Sequence, residues 1–392
     1  MLALAAGAAS AGPETLGKRL AGTFRVQGVV PGESTAMVVD LLNGRTLFAR
    51  NADVALEPAS NEKLAVTYAA LVELGPSYRF PTEVLGEGHR VGSTWQGRLV
   101  LKGFGDPALT SSDLRRLVNI LWRMGIRRVT GGIAGDESAF DTMRVAPGWL
   151  PSFAGVESPP LSALVVDRAV RGTRVVADPA LAAAARFDRL LKTRGISARS
   201  ASTRRAGPDA IPLATIYSEP LSKILTYMDH WSDNFTAEMV LKAIGYKALG
   251  IGTTSAGAAI AKRDLATAGV PVAGVQIADG SGLSRDDRVT GRELATLLVK
   301  IWKNPATRQV VWNALPVAGD PGTLEHRLLD TPHHRLVRGK TGTTDIASAL
   351  SGYVGRRFAF VAIENGHPVD YWAAHEAEDG VVRALLAELV RR

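Results

Sequence analysis

A hydroxyl and an amine stand three residues apart in Ser60-Asn61-Glu62-Lys63. At the start of a helix that spacing puts both side chains on one face, with Cβ atoms roughly 5–6 Å apart, which is proton-transfer reach. A serine hydroxyl is a weak nucleophile until a neighbour takes its proton, and a desolvated lysine near a second cation is neutral enough to do so. The helix N-terminus also favours the negative charge that develops on an attacked carbonyl. A second element, Ser232-Asp233-Asn234, offers a hydroxyl to relay a proton between base and leaving amine, and an amide to hydrogen-bond both Lys63 and a substrate backbone. A third runs from Arg338 through Lys340, Thr341, Gly342 and Thr343 to Thr344. There Lys340 and Thr341 supply positive charge and a donor for a carboxylate, Gly342 lets a peptide backbone come close, and a strand edge pairs with an extended ligand. Each pattern has an ordinary structural explanation beside this one. Ser60 and Ser232 both suit helix caps, and glycine-rich basic turns bind phosphate, although the P-loop spacing does not fit here.

The surrounding sequence must place these groups. Residues 38–42 and 46–49 read as two strands joined by Asn43-Gly44. Apolar residues Leu64, Ala65, Tyr68, Leu71 and Val72 recur at helical spacing over 60–74, so Ser60 opens a helix. From about 79 to 177 the texture changes to short strands, Gly-rich turns and one helix at 112–124, which predicts an inserted domain. Helical patterns follow at 179–192, 219–230, 233–248, 255–268 and 290–302. Strands return at 347–354 and 358–364 as a hairpin, before a last helix at 376–390. No internal repeat is present. The pattern predicts an α/β (α+β) layout in which a sheet made from both ends of the chain packs against central helices.

Composition bounds the reading. The chain has 392 residues, 46% hydrophobic and 21% charged, the range of a globular enzyme with room for two domains. No stretch is long and apolar enough to span a bilayer. A net charge of +8 favours polyanions, including the anionic polymers of a cell envelope and a peripheral association with it. No nucleic-acid motif accompanies the charge, so no nucleic-acid partner is expected. The absence of cysteine excludes disulfides and thiolate chemistry, and the seven histidines show no metal-ligand spacing. No cofactor or metal is therefore expected. Residues 1–12 are Ala-, Leu- and Gly-rich and end in Ala9-Ser10-Ala11, which reads as the tail of an export signal lacking its basic start, with an Ala-rich terminus as the plain alternative.

S-x-x-K, S-D-N and K-T-G in that order are the combination of penicillin-binding proteins and class A β-lactamases. Here 172 residues separate Ser60 from Ser232, leaving room for the insert, and no Glu-x-x-Leu-Asn segment occurs to supply a deacylating glutamate. The chain resembles the class C low-molecular-mass penicillin-binding proteins, the D-alanyl-D-alanine carboxypeptidase/endopeptidase family. The resemblance rests on residues 58–64, Gly103-Phe104-Gly105-Asp106-Pro107, Ser232-Asp233-Asn234, the segment from Asp279 to Arg285, Leu315-Pro316 with Gly322-Thr323-Leu324, and Lys340-Thr341-Gly342-Thr343.

That resemblance implies a penicillin-binding, β-lactamase-like transpeptidase domain at 13–78 and 178–392, with an antiparallel sheet packed by helices. A smaller β-rich domain at 79–177 interrupts it. It implies an exported enzyme of the periplasm or cell wall whose partners are peptidoglycan stem peptides and β-lactam antibiotics. Ser60, Lys63, Ser232, Asn234 and Lys340 would be catalytic, with Thr341, Gly342 and Thr343 binding substrate and the backbone N–H groups of Ser60 and Thr343 forming the oxyanion hole. Residues 135–140 resemble the insert segment that can border the cleft, so Asp136 would meet the free amine of a diaminopimelate side chain. A β-lactamase or esterase with the same motifs, and a non-catalytic wall-binding module, are the alternative readings.

Overall fold

The computed structural model describes residues 15–171 and 174–391; the export-signal reading falls outside them. The main sheet is antiparallel throughout, ordered Val337–Thr344, Ala347–Val354, Phe358–Asn365, Ser34–Asp40, Thr46–Arg50. The N-terminal strand thus closes on the C-terminal hairpin, with Val38 opposite Phe360. Every residue of Ser34–Asp40 and Ala347–Val354 is buried, the signature of strands covered on both faces. Alternation divides the two faces. Ala36, Val38, Phe358 and Phe360 pack with Leu20, Val381 and Leu385, from the terminal helices Leu16–Thr23 and Tyr371–Val390. Met37, Val39, Ala359 and Val361 pack with Leu64, Leu294 and Leu298 from the central helices. At roughly 1.5–3 kcal/mol for each large apolar side chain buried, these two clusters hold both chain ends in one domain.

The central helices are Lys63–Glu73, Leu221–Trp231, Asn234–Leu249, Thr254–Thr267, Gly291–Lys303 and Pro305–Ala314. The fold is therefore the α/β arrangement expected, with an antiparallel sheet and helices on both faces.

The insert is larger than its sequence texture suggests. Its sheet runs Ala201–Thr203, Ile133–Asp136, Thr94–Gly103, Pro81–Val91, Ile211–Tyr217, with Arg128–Val129 paired beside Thr94–Gly103. Helices Ser111–Arg123 and Pro179–Thr193 cover it through Leu114, Leu117, Leu121, Ala180, Ala184 and Phe187. The expected return at 177–178 is thus displaced. The chain leaves the peptidase body at Phe80 and rejoins it at Ser218, where Phe80 N donates to Ser218 Oγ at 2.9 Å and Ser218 N donates to Phe80 O at 3.0 Å. Between those points Phe140, Leu161, Ala163 and Val165 drop back into the main core. That excursion brings Glu157 to the cavity wall, Arg168 to Asp233 and Trp149 to Asp279.

Candidate active site

Ser60 lies in a 3-10 turn, Ala59–Glu62, that feeds directly into the helix Lys63–Glu73. No side-chain cap is made at that turn, so the Ser60 hydroxyl is not consumed as a helix cap. It accepts a hydrogen bond from Lys63 Nζ at 2.8 Å. Lys63 is fully buried, and its ammonium is held on three sides, donating also to Asn234 Oδ1 at 2.8 Å and to Ser281 O at 2.5 Å.

The turn carrying Ser232 shows why its motif has this order. Ser232 ends the helix Leu221–Trp231 in a left-handed conformation, φ 57° and ψ 38°, uncommon for a residue with a side chain. Asp233, not Ser232, caps the next helix by accepting Thr236 N at 2.8 Å. Ser232 Oγ and the Asn234 amide are thereby free to face the cleft. Asp233 is also clamped from the insert side by both terminal nitrogens of Arg168, at 3.2 and 2.7 Å.

The third motif lies on Val337–Thr344, the edge strand of the main sheet. Lys340 Nζ is fully buried and donates to Ser232 Oγ and Thr341 O, each at 2.8 Å. Its charge acts on the cleft through Ser232 and not by direct contact. Thr341 and Thr343 line a cavity of about 350 Å³ together with Ser60, Ser232 and Asn234. Gly342 has a different use from the one its sequence suggests. A Cβ there would meet Pro58 O at 2.9 Å and Asn61 Nδ2 at 3.0 Å, so the missing side chain admits the turn that carries Ser60, not the ligand.

Against known proteins, residues 23–176 and 168–388 match the family model described as the D-Ala-D-Ala carboxypeptidase 3 (S13) family. The chain belongs to this S13 family. It is 31% identical to a D-alanyl-D-alanine carboxypeptidase of Actinomadura sp., over 87% of this chain and 79% of the relative. It is also 31% identical to a carboxypeptidase of Mycobacterium tuberculosis, over 86% and 77%. In fold it is similar to penicillin binding protein 4 from Haemophilus influenzae, with a TM-score of 0.84 and 21% identity over 94% of this chain and 99% of that one. A second structure of that protein, complexed with a β-lactam, superposes with a TM-score of 0.75 at 22% identity, covering 95% and 98%. The chain is thus a serine-type D-Ala-D-Ala carboxypeptidase with the penicillin-binding fold.

Within this S13 peptidase, burial lowers the proton affinity of both lysines. Burial pushes the Lys63 ammonium down to about 8, against the pull of Asp279, Asp233, Asp229 and Glu238. Burial likewise pushes Lys340 well below its ordinary value, and Lys63 adds to that push while Asp229 opposes it. A proton on either lysine disfavours one on the other, so the pair titrates together.

Several residues of the site lie outside the three short motifs. Asp279 is buried and accepts from Trp149 Nε1, Ser281 N and Oγ, Gly282 N, Leu283 N and Ser284 N. That set of bonds folds the loop so that the Ser281 carbonyl meets Lys63. Glu157, Leu283, Thr323, Arg327 and His375 complete the cavity wall. Of these, Leu283 and Thr323 fall in segments that carry the family resemblance, while Glu157, Arg327 and His375 come together only through the fold. Arg327 is held from behind by Glu378 at 2.7 Å and Asp379 at 2.5 Å.

Asp136 does not join the site. It ends the strand Ile133–Asp136 inside the insert with its side chain fully buried, accepting Ser138 N at 2.8 Å and Ala206 N at 2.9 Å, with Lys102 at 3.8 Å. With no exposure and both oxygens already bonded inside the insert, the carboxylate is out of reach of a substrate amine.

Proposed function

We propose that Ser60 is the acylated nucleophile and Lys63 its base in a cycle that cleaves peptides ending in D-alanyl-D-alanine. The observation that carries this reading is the 2.8 Å contact from Lys63 Nζ to Ser60 Oγ, made by a fully buried lysine whose proton affinity is lowered to about 8. Lys63 takes the Ser60 proton as Oγ attacks the penultimate D-alanine carbonyl. The backbone N–H groups of Ser60 and Thr343 receive the oxyanion. Ser232, hydrogen-bonded to Lys340, passes a proton to the departing amine nitrogen, and the Ser60 ester remains. Thr341 and Thr343 hold the terminal carboxylate, and the Asn234 amide, whose Nδ2 now makes only a 3.3 Å bond to Glu157 O, is available to a substrate carbonyl. Water then enters through the same base and releases the shortened peptide. β-Lactams acylate Ser60 by the same attack, their fused ring retaining the leaving amine.

The site's place of work is the exported side of the envelope, where stem peptides are, and the net charge of +8 suits anionic wall polymers. The test is Ser60→Ala. Labelling by a fluorescent penicillin and release of D-alanine from monomeric stem peptides should both vanish. Persistent labelling at the same site would overturn the assignment. Mass spectrometry of cross-linked stem peptides digested alongside reports the endopeptidase share, and rapid steady-state nitrocefin hydrolysis would favour a β-lactamase instead.

A further inference from the structure

Asp229 is a fully buried carboxylate that the cycle above does not use. It lies in the last turn of the helix Leu221–Trp231, three residues before the Ser232 that accepts Lys340 Nζ. Its Oδ2 accepts Thr67 Oγ1 at 2.8 Å, and Thr67 is one turn along the helix from Lys63. One residue therefore ties the helix that carries Lys63 to the helix that ends at Ser232, the partner of Lys340. Its other oxygen, Oδ1, is buried without a hydrogen-bond partner. A buried carboxyl satisfied by one hydroxyl stays ionised only where positive charge compensates it.

We propose that Asp229 is the counter-ion of the Lys63–Lys340 pair, a positioning residue that keeps one proton, and only one, on the two lysines together. The proposal rests on the assignment of those lysines to proton transfer. With both protonated, Ser60 would have no base; with neither, Ser232 would have no proton to pass on. One negative charge near two buried amines raises the proton affinity of both, so the singly protonated pair lies at higher pH than burial alone would allow.

The surroundings supply no substitute. Burial raises the Asp229 carboxyl to about 6, and Lys340, the Thr67 hydrogen bond and then Lys63 hold it from rising further, so it is ionised where the lysines titrate. Asp233, from the following helix, is spent on Arg168 and its own cap. Asp279 and Glu238 also act on Lys63, but Asp279 is bonded into the 279–284 loop and Glu238 to Gly280 N and Thr254. Glu62 is buried beside Lys63, where burial and its acidic neighbours push its carboxyl well up, toward the neutral form. On Asp229's own helix, His230 lies against Gly322.

The test is the pH profile of the acylation rate constant with nitrocefin for Asp229→Asn, a near-isosteric change that removes only the charge. Without the carboxylate both amines lose protons more readily, so the acid and alkaline limbs should both move to lower pH by about one to two units. Thr67→Val, which leaves the carboxylate in place but withdraws its hydrogen bond, should move them the same way by less, and it carries the test if Asp229→Asn does not fold. An even loss of rate at every pH, with both limbs unmoved in either variant, would overturn the proposal. So would a shift to higher pH. Lys63→Met separates the two levels of the argument: if it still acylates at the wild-type rate, the lysine assignment fails; if it is inactive while Asp229→Asn keeps the wild-type profile, only the counter-ion role fails.

Discussion

In the proposed cycle Lys63 serves as base because it is too deeply buried to hold its proton firmly and has enough acceptors to be held still. Ser60, Asn234 and Ser281 fix the amine in place, while burial brings its titration to about 8. The base is competent only when neutral, so acylation by a β-lactam should rise with pH along an acid limb centred near 8. A profile already flat from pH 5 would exclude Lys63 as the base. Replacement by methionine, close in size and without a proton to exchange, should lower the acylation rate constant by about 10²–10⁴, the usual share of a positioned general base. Circular dichroism and thermal melting would show whether the variant keeps its fold. Residue types alone made this pair legible, as a hydroxyl and an amine one helical turn apart. They did not show that Lys340 would be buried behind Ser232, or that Gly342 would face the turn bearing Ser60, because both facts depend on how closely the edge strand approaches that turn.

At the scale of elements, the site forms where turns meet, and the Asp279–Arg285 segment lies close against Ala59, the residue before Ser60. Gly282 has φ +82°, and a Cβ there would fall 1.8 Å from the Ala59 carbonyl oxygen. Neither backbone can yield cheaply, since the loop is fastened to Asp279 and Ala59 itself sits at φ 45°. Gly282→Ala should therefore cost about 2–4 kcal/mol of stability, through left-handed strain and overpacking. It should also displace the Ser281 carbonyl from Lys63, so that acylation falls at least tenfold even well below the melting temperature. Urea melts and stopped-flow nitrocefin kinetics on the same preparation would check both. Element types were readable from periodicity: the helices around Ser60 and after Asp233, and the hairpin at 347–364, all form. Their partners were less so. Pro179–Thr193 has the same helical spacing as the central helices, yet it packs on the insert through Ala180, Ala184 and Phe187. Periodicity tells which face is buried, not which sheet buries it. Pro305–Ala314 escaped notice because a helix of ten residues separated from Lys303 by Asn304 alone reads as the tail of its neighbour.

Across the whole molecule, acids buried beneath the site set how its stability should respond to pH. Glu293 has no exposure and neither carboxylate oxygen has a hydrogen-bond partner. Burial alone pushes it up to about 8, and Glu238 is also raised to about 8, with burial the first cause and Asp279 the second. A carboxyl whose folded value is raised binds its proton more tightly in the native state than in the unfolded chain, so stability falls as pH rises from the unfolded value near 4.5 toward 8. Carried to pH 7, a rise of that size costs the native state roughly 3 kcal/mol per group relative to pH 4. Gln at position 293 keeps the shape and cannot ionise. Glu293→Gln should therefore match the wild type near pH 4.5 and become progressively more stable than it up to about pH 8, as read from urea midpoints at half-unit intervals. A difference that stayed constant over that window would mean that Glu293 is already ionised in the native protein. The direction matters for the enzyme, because acylation gains from rising pH over the range in which these acids withdraw stability. The pH at which the molecule is most active should consequently lie above the pH at which it is most stable.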